Sequence, residues 1–375
     1  METILPPEKK GYALRLDKLQ DGDVILESGY KPHSEAIKNK TNSHYSHAMI
    51  YLEGTIFEST KGGSVFTRVP NRFYVKNAND LKVIRYNENI SKDSLDKVTW
   101  HARTHVATTY SVPEAVRSSL KKKPTAKKSS GQFCSRFVAE SLNAGNVKTV
   151  SNIYYCTPAD LESSEYFSVV PDAIKEASAA EIRHADASKL HPKHQKATIE
   201  WTKKAKTILK SPGSKVQTIN DIYQAIIDSR NTKIDKAIAK AMIESGYTEN
   251  LDDDRTANPY RYDETEFAKL LSDGQIDLNG EVRKEINITR LFLRNHEANR
   301  SNIERTGGMF RTLQLEYEVG IGNLFAIKDR MNTLISVCVN MGISTASVDV
   351  ARKITLSIDS ALSTNKVSAD SEPKA

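Results

Sequence analysis

The sequence predicts an α+β domain followed by a mostly α-helical one, and three observations carry that prediction. Between residues 22 and 86 short apolar runs recur at close spacing, separated by turn signals, as in a small antiparallel sheet. Between 91 and 161 the apolar period lengthens to that of helices. From about residue 197 onward helical spacing holds almost throughout. The 375 residues exceed one ordinary core and fit about two domains. They divide as 1–20 leader, 21–170 first domain, 171–196 linker, 197–363 helical domain and 364–375 disordered tail.

Taken in order, the first strand is Val24-Ile25-Leu26, opened by Gly22-Asp23. Ser34 to Lys38 is a short helical candidate. Ala48 to Leu52 and Thr55 to Thr60 are two strands joined at Glu53-Gly54, which reads as a hairpin. Gly62-Gly63 marks the next turn, and Ser64–Val69 and Leu81–Tyr86 supply two further strands. Ser91 caps a helix running toward Thr108, with Leu95, Val98, His101 or Ala102, and His105 or Val106 on one face. Residues 111–131, rich in Lys and Ser, read as a loop or lid. Phe133 to Ala144 returns to helix, with Gly145 as its terminating residue. Thr157-Pro158 opens another short helix, Thr as cap and Pro at the first position. The linker, or a surface helix, follows at 171–196. Beyond it, Ile219, Ile222, Tyr223, Ile226 and Ile227 form one apolar stripe, and long periodic runs fill Leu291–Val339, interrupted at Gly307, Gly308, Gly320 and Gly322.

Composition narrows the function. Hydrophobic residues make up 38% and charged residues 27%, the balance of a globular chain. No run approaches the roughly 18 apolar residues of a membrane span. Met1 to Gln20 mixes Glu, Lys, Arg and Asp and lacks the apolar core of a secretory signal, which points to the cytoplasm, with signal-less export left open. The net charge of +7 admits anionic partners. Its densest run, Lys121 to Lys123 with Lys127 and Lys128, contains Pro124 and no aromatic residue, so it reads as a solvated loop or as a contact for an anionic membrane surface. No nucleic-acid motif is present, and no nucleic-acid partner is expected. The three cysteines, 134, 156 and 338, form no C-x-x-C pair, so no zinc site, disulfide framework or cofactor is indicated.

The remaining signal is nucleophilic. A thiol reacts as thiolate and needs an imidazole beside it, held in turn by a third polar group. Cys134 stands at the start of the helix 133–144, where free N–H groups and the positive dipole end lower a thiol's pKa and can receive an oxyanion. His47 directly precedes a strand, and Glu58 lies on the next one, so hairpin pairing would bring the carboxylate to the imidazole. The backbone N–H of Cys134 or Ser135 is the preferred oxyanion donor, with the Gln132 amide as another. His44 is a competing base three residues before His47. His101 and His105 share a helix face at a spacing that can bind metal, but without a nearby third ligand a surface or packing role is the simpler one. His191 and His194 read as solvated, and Cys156 and Cys338 as buried structural thiols.

Three segments in order resemble one family: Gly22-Asp23-Val24-Ile25-Leu26, then Ser43-His44-Tyr45-Ser46-His47-Ala48-Met49-Ile50-Tyr51, then Phe133-Cys134-Ser135-Arg136-Phe137-Val138-Ala139-Glu140. Together they resemble the YiiX/YebB-like cysteine hydrolases of the NlpC-type superfamily, over roughly residues 20–165. Thr157-Pro158-Ala159-Asp160-Leu161 is similar to the family's T-P-x-D-L element. The resemblance implies a permuted papain-like fold, in which the histidine precedes the cysteine in the chain. It places Cys134 on the nucleophile, His47 on the base and Glu58 on the third polar position. Phe133 stands where the family often has tyrosine. Residues 197–375 have no counterpart in it. The resemblance implies hydrolysis of an amide bond, in a peptide or peptidoglycan-type substrate, through an acyl-enzyme on Cys134. Relatives similar to lecithin–retinol acyltransferase imply the alternative of lipid acyl transfer at the same site. A third alternative is a non-catalytic scaffold whose helical half binds a protein partner.

Overall fold

The computed structural model describes residues 10–60, 65–68, 73–106, 108, 133–187, 191–209, 216–249, 255–256, 258–274, 276 and 278–363. The Gly62-Gly63 turn, the 111–131 loop with Lys121–Lys128, Gln132 and the 364–375 tail lie outside the described residues. The fold is mixed α and β, and its residues fall into two compact units. The first lies within Met1–Lys189 and Lys215–Asp221, the second within Leu190–Ser214 and Ile222–Ala375.

The first unit is organised by a six-stranded antiparallel sheet. Its elements begin with β1 (Tyr12–Leu14), β2 (Val24–Glu27), α1 (Pro32–Thr41), β3 (His47–Leu52), β4 (Thr55–Ser59), β5 (Val65–Arg68) and β6 (Leu81–Tyr86). They continue with α2 (Lys92–Thr104), α3 (Cys134–Ala144), α4 (Pro158–Glu162), β7 (Phe167–Val169), β8 (Ile174–Glu176) and α5 (Ala179–Ala187). The strand order is β5-β4-β3-β2-β6-β7. The hairpin read from Glu53-Gly54 is present: Leu52 pairs with Thr55, and both turn residues take positive φ (49° and 75°), the two-residue turn that matches the twist of paired strands.

Both faces of this sheet are covered, which explains why its strands read as near-continuous apolar runs. One face, with Val24, Leu26, Ala48, Ile50, Leu52 and Phe57, packs against Val98 and Ala102 of α2 and Phe137, Val138 and Leu142 of α3. The other, with Ile25, Met49, Tyr51, Ile56 and Val83, meets Leu14, Leu19, Val75 and Ala173.

That second covering corrects two boundaries. Part of the stretch read as a leader forms β1, which pairs antiparallel with β8 from the stretch read as a linker, Tyr12 opposite Glu176. Tyr12 also exchanges backbone hydrogen bonds with Val75 (2.8 and 2.9 Å). Strands of three residues are too short to show a period. Their stabilisation comes from burying isolated residues such as Ala13 and Leu14.

Helices α2 and α4 start where their caps dictate. Ser91 Oγ accepts the Ser94 N–H at the head of α2. Thr157 and Asp160 form a reciprocal capping box at α4, with Pro158 at the first turn. At the end of α3 the sequence expectation is half right. Gly145 has φ −91°, and the left-handed residue is Asn146 (φ 62°). Gly145 is needed for space: an added Cβ would lie 2.5 Å from the Ser94 carbonyl oxygen and 2.7 Å from a Val98 methyl. Gly145→Ala is therefore expected to destabilise the first unit by about 1–3 kcal/mol through displacement of α2 from α3, read as a lower urea midpoint.

The second unit is helical. It holds α6 (His191–Ile208), most of α7 (Ile219–Ser229), α8 (Thr232–Glu244), α9 (Glu264–Ser272), α10 (Leu278–Arg305), α11 (Arg311–Asn340) and α12 (Ala346–Ser363). Two cores support it. Trp201, fully buried, stacks on Tyr223 at 6.4 Å and leans on Tyr247, on which His194 also stacks; His194 is thus a packing residue, not the solvated one expected. Leu324, Ile327, Met331 and Leu334 of α11 pack with Val348, Ala351, Ile354 and Ile358 of α12. Helix α11 runs unbroken through Gly320 and Gly322; the break falls at Gly307 and Gly308, both with positive φ. A continuous apolar stripe outweighs the ~1 kcal/mol that each mid-helix glycine costs. The first turn of α11 has no cap of its own: buried Asp235 on α8 accepts the N–H groups of Arg311 (2.8 Å) and Thr312 (3.0 Å). No described helix is long and apolar enough to cross a membrane.

Candidate functional site

The site is assembled at one end of the sheet. Side chains alternate along a strand, so the pairing of Met49 with Glu58 places His47, Met49 and Glu58 on one sheet face. His47, the first residue of β3, pairs with Glu27 on β2. The face is apolar through Ile25, Met49 and Ile56 and becomes polar at Glu27, His47, Glu58 and Arg68. His47 Nε2 lies 2.8 Å from Glu58 Oε2. Glu58 is almost wholly buried (5% exposed), while His47 keeps 19% exposure. The hairpin thus delivers the carboxylate to the imidazole, as the sequence predicts.

Helix α3 brings the sulfur. Its N-cap is Phe133, whose side chain cannot cap, and Cys134 is the first helical residue. The first intrahelical bond runs from the Phe137 N–H to the Phe133 carbonyl, so the N–H groups of Cys134, Ser135 and Arg136 have no partner within the helix. The His47 ring and the backbone N–H groups of Ala48 and Ser135 lie around the sulfur and favour its anionic form.

The electrostatics follow from these partners. Burial alone would push the His47 imidazole down, but hydrogen bonds to Cys134 and Glu58, and the charges of both, hold its pKa at about 10. Burial likewise works against an ionised Glu58, yet the Arg68 charge and then the His47 hydrogen bond and charge draw it down to about 2. For Cys134, burial is overcome by the His47 hydrogen bond and charge and by the two backbone N–H groups, so the thiol lies below its ordinary range. Cys134 and His47 thus each favour the charged form of the other. The other two thiols go the opposite way: burial pushes up Cys156, helped by the charges of Asp160 and Cys134, and burial pushes up Cys338.

The remaining candidates have structural partners. Ser135 contributes its backbone N–H, while its hydroxyl is spent on the Cys156 carbonyl at 2.8 Å. His44 Nε2 bonds Asp80 (3.1 Å), itself held by Tyr30 and Asn77. The rings of His101 and His105 stack at 4.0 Å, with His105 Nδ1 on the His101 carbonyl and His101 Nδ1 on Ser141. Among the described residues, no group of three or more His, Cys, Asp or Glu side chains is arranged to hold a metal. Asp23 of the G-D-V-I-L run is paired with Arg85 through both oxygens, each at 2.7 Å. Arg136 and Glu140 lie within the packed helix at 3.5 Å from one another.

Arg68, Glu27 and the Ala48 N–H are the site groups that the sequence reading did not single out. The available signal for Arg68 was its register: it shares a strand face with Phe66 and lies opposite Ile56, so a cation projects from an otherwise apolar surface.

No family model matches the chain, and no curated protein does. Among solved structures, the metalloprotein yiiX from Escherichia coli O157:H7 is similar at 18% identity, covering 41% of this chain and 97% of that one, with a TM-score of 0.31.

Proposed function

We propose that the first unit is a cysteine hydrolase with a permuted papain-like arrangement, working by acyl transfer on Cys134. The observation that supports it is the Cys134–His47–Glu58 chain: a thiol at an uncapped helix start with its pKa held down, an imidazole beside it, and a buried carboxylate against the ring. The order, histidine on β3 before cysteine on α3, is the one a permuted domain would have. In the reaction the Cys134 thiolate attacks a carbonyl carbon and forms a C–S bond. The N–H groups at the head of α3 receive the oxyanion. His47 gives its proton to the leaving nitrogen or oxygen as that bond breaks. Water then attacks the thioester, His47 takes its proton, and the acid departs with the thiolate restored. The substrate class is an amide, in a peptide or peptidoglycan-type molecule.

The test is selective labelling followed by turnover. A peptidyl electrophile should modify Cys134 in the folded protein and leave Cys156 and Cys338 untouched, as read by peptide mass mapping. Equal modification of all three would remove the basis of the proposal and favour the scaffold. A fluorogenic peptide amide turned over by wild type and not by Cys134→Ala supports amide hydrolysis. Turnover confined to acyl-lipid esters would move the substrate to lipids.

A further inference from the structure

We propose that Arg68, braced by Glu27, is a positioning residue of the Cys134 site: it clamps both oxygens of Glu58 and so fixes the carboxylate that orients His47. The inference rests on the acyl-transfer reading and adds a member to its site. Arg68 Nε donates to Glu58 Oε1 at 2.7 Å and Nη2 to Oε2 at 3.0 Å. Oε2 also meets His47 Nε2 at 2.8 Å. Three donors on one carboxylate leave it no rotation that keeps them all. A guanidinium suits this task because its planar fork meets both oxygens at once and does not deprotonate, so the clamp is constant over the pH range in which Cys134 and His47 titrate. The guanidinium is fixed in turn. Its Nη1 lies 3.6 Å from Glu27 Oε2, and the group sits 4.8 Å over the Phe73 ring.

The charges explain why the clamp matters to reactivity. The active form holds three anions, the Cys134 thiolate, Glu58 and Glu27, against two cations, the His47 imidazolium and Arg68. Without Arg68 a single cation would face three anions in a buried site. The least costly relief is for a carboxylate or the thiolate to take up a proton. A protonated Glu58 no longer supports the imidazolium, and an unsupported imidazolium no longer supports the thiolate. Arg68 therefore acts on the sulfur through Glu58 and His47 without touching it.

The experiment is the pH profile of Cys134 alkylation by iodoacetamide in the full-length protein, followed by mass mapping, for wild type, Arg68→Met and Arg68→Lys. Thermal unfolding of each variant reports the fold. Wild type should show a reactive limb at acid pH. In Arg68→Met that limb should move up by about 1 pH unit, the low end of the range an opposite charge at contact distance commands, because Arg68 reaches the sulfur only through Glu58 and His47. Arg68→Lys keeps the charge but loses the fork, and should fall between the two. A folded Arg68→Met with the wild-type profile overturns the positioning role and leaves the Cys134 reading intact. A wild-type Cys134 that titrates as an ordinary thiol overturns both. If Arg68→Met does not fold, the Lys variant decides: a shifted limb supports the clamp, and a wild-type profile overturns it.

Discussion

His47→Ala is expected to slow alkylation of Cys134 at pH 6 by about two orders of magnitude. An ordinary thiol, with a pKa near 8.5, is thiolate in only about one molecule in 300 at that pH. Cys134 escapes this because the His47 hydrogen bond and charge outweigh the cost of burying a thiolate. With the imidazole gone, burial remains, and the N–H groups of Ala48 and Ser135 are left to favour the anion together with the helix start. The deficit should shrink as the pH rises through the ordinary thiol range, where hydroxide does the work of the imidazole. For turnover the loss should persist at all pH values, since the leaving atom loses the acid proposed to protonate it, and general acid–base catalysis contributes about 10²–10⁴. The check is a time course of Cys134 modification at pH 6 and pH 9 with both proteins. Loss of less than about threefold at pH 6 would mean that the sulfur is not activated by His47.

Why the core of this site was legible is a matter of short range. The His47–Glu58 pair spans a two-residue turn, and Glu53-Gly54 with flanking apolar runs fixes its register. Given the register, alternation puts both side chains on one face. Cys134 was legible as a helix start because Phe133, Phe137, Val138 and Leu142 keep the helical period just after Gly131. Arg68 was not legible, because its role depends on β5 lying beside β4 and on Glu27 arriving from β2, two strands removed from β4 in the sheet order. His101 and His105 show the converse. Their spacing suits a metal, but the structure spends both rings on stacking and on local hydrogen bonds.

The fold repeats the lesson. Caps at Ser91, Thr157 and Pro158 are local and appear where the sequence puts them. The β1–β8 ribbon joins residues about 160 apart through three-residue strands, so neither partner carries a signal alone. Gly145 is demanded by a carbonyl on α2, a neighbour defined only by packing. Asp235 caps a helix it does not belong to, from 76 residues away.

Glu285→Gln is expected to cost the second unit about 3–5 kcal/mol, the largest stability loss foreseen for a single substitution here. Glu285 is 1% exposed and lies between two buried arginines. It accepts Arg330 Nε at 3.0 Å and Nη2 at 2.8 Å, and it also accepts Arg261. Arg261 has a second carboxylate in Glu281, at 3.0 Å, and Arg330 Nη1 also donates to the Tyr262 hydroxyl at 2.7 Å. Losing the Glu285 charge removes the carboxylate that two buried guanidiniums share. Removing both partners, as in Glu285→Met with Arg330→Met, should recover much of the loss, because the desolvation cost disappears with the charges. The pH dependence has a definite sign. Burial pushes the Glu285 carboxyl up, but the charges of Arg330 and Arg261 bring it below the ordinary value. Its stabilisation is thus complete above the unfolded pKa of about 4.3 and is lost as pH falls from there through the lower folded value. The variant's deficit should accordingly narrow on acidification. Urea unfolding followed by tryptophan fluorescence resolves this, because Trp201 is fully buried in the second unit whereas Trp100, the other tryptophan, is already 68% exposed. A Glu285→Gln midpoint equal to that of wild type at pH 7 would show that the arginines carry no uncompensated charge when the carboxylate is gone.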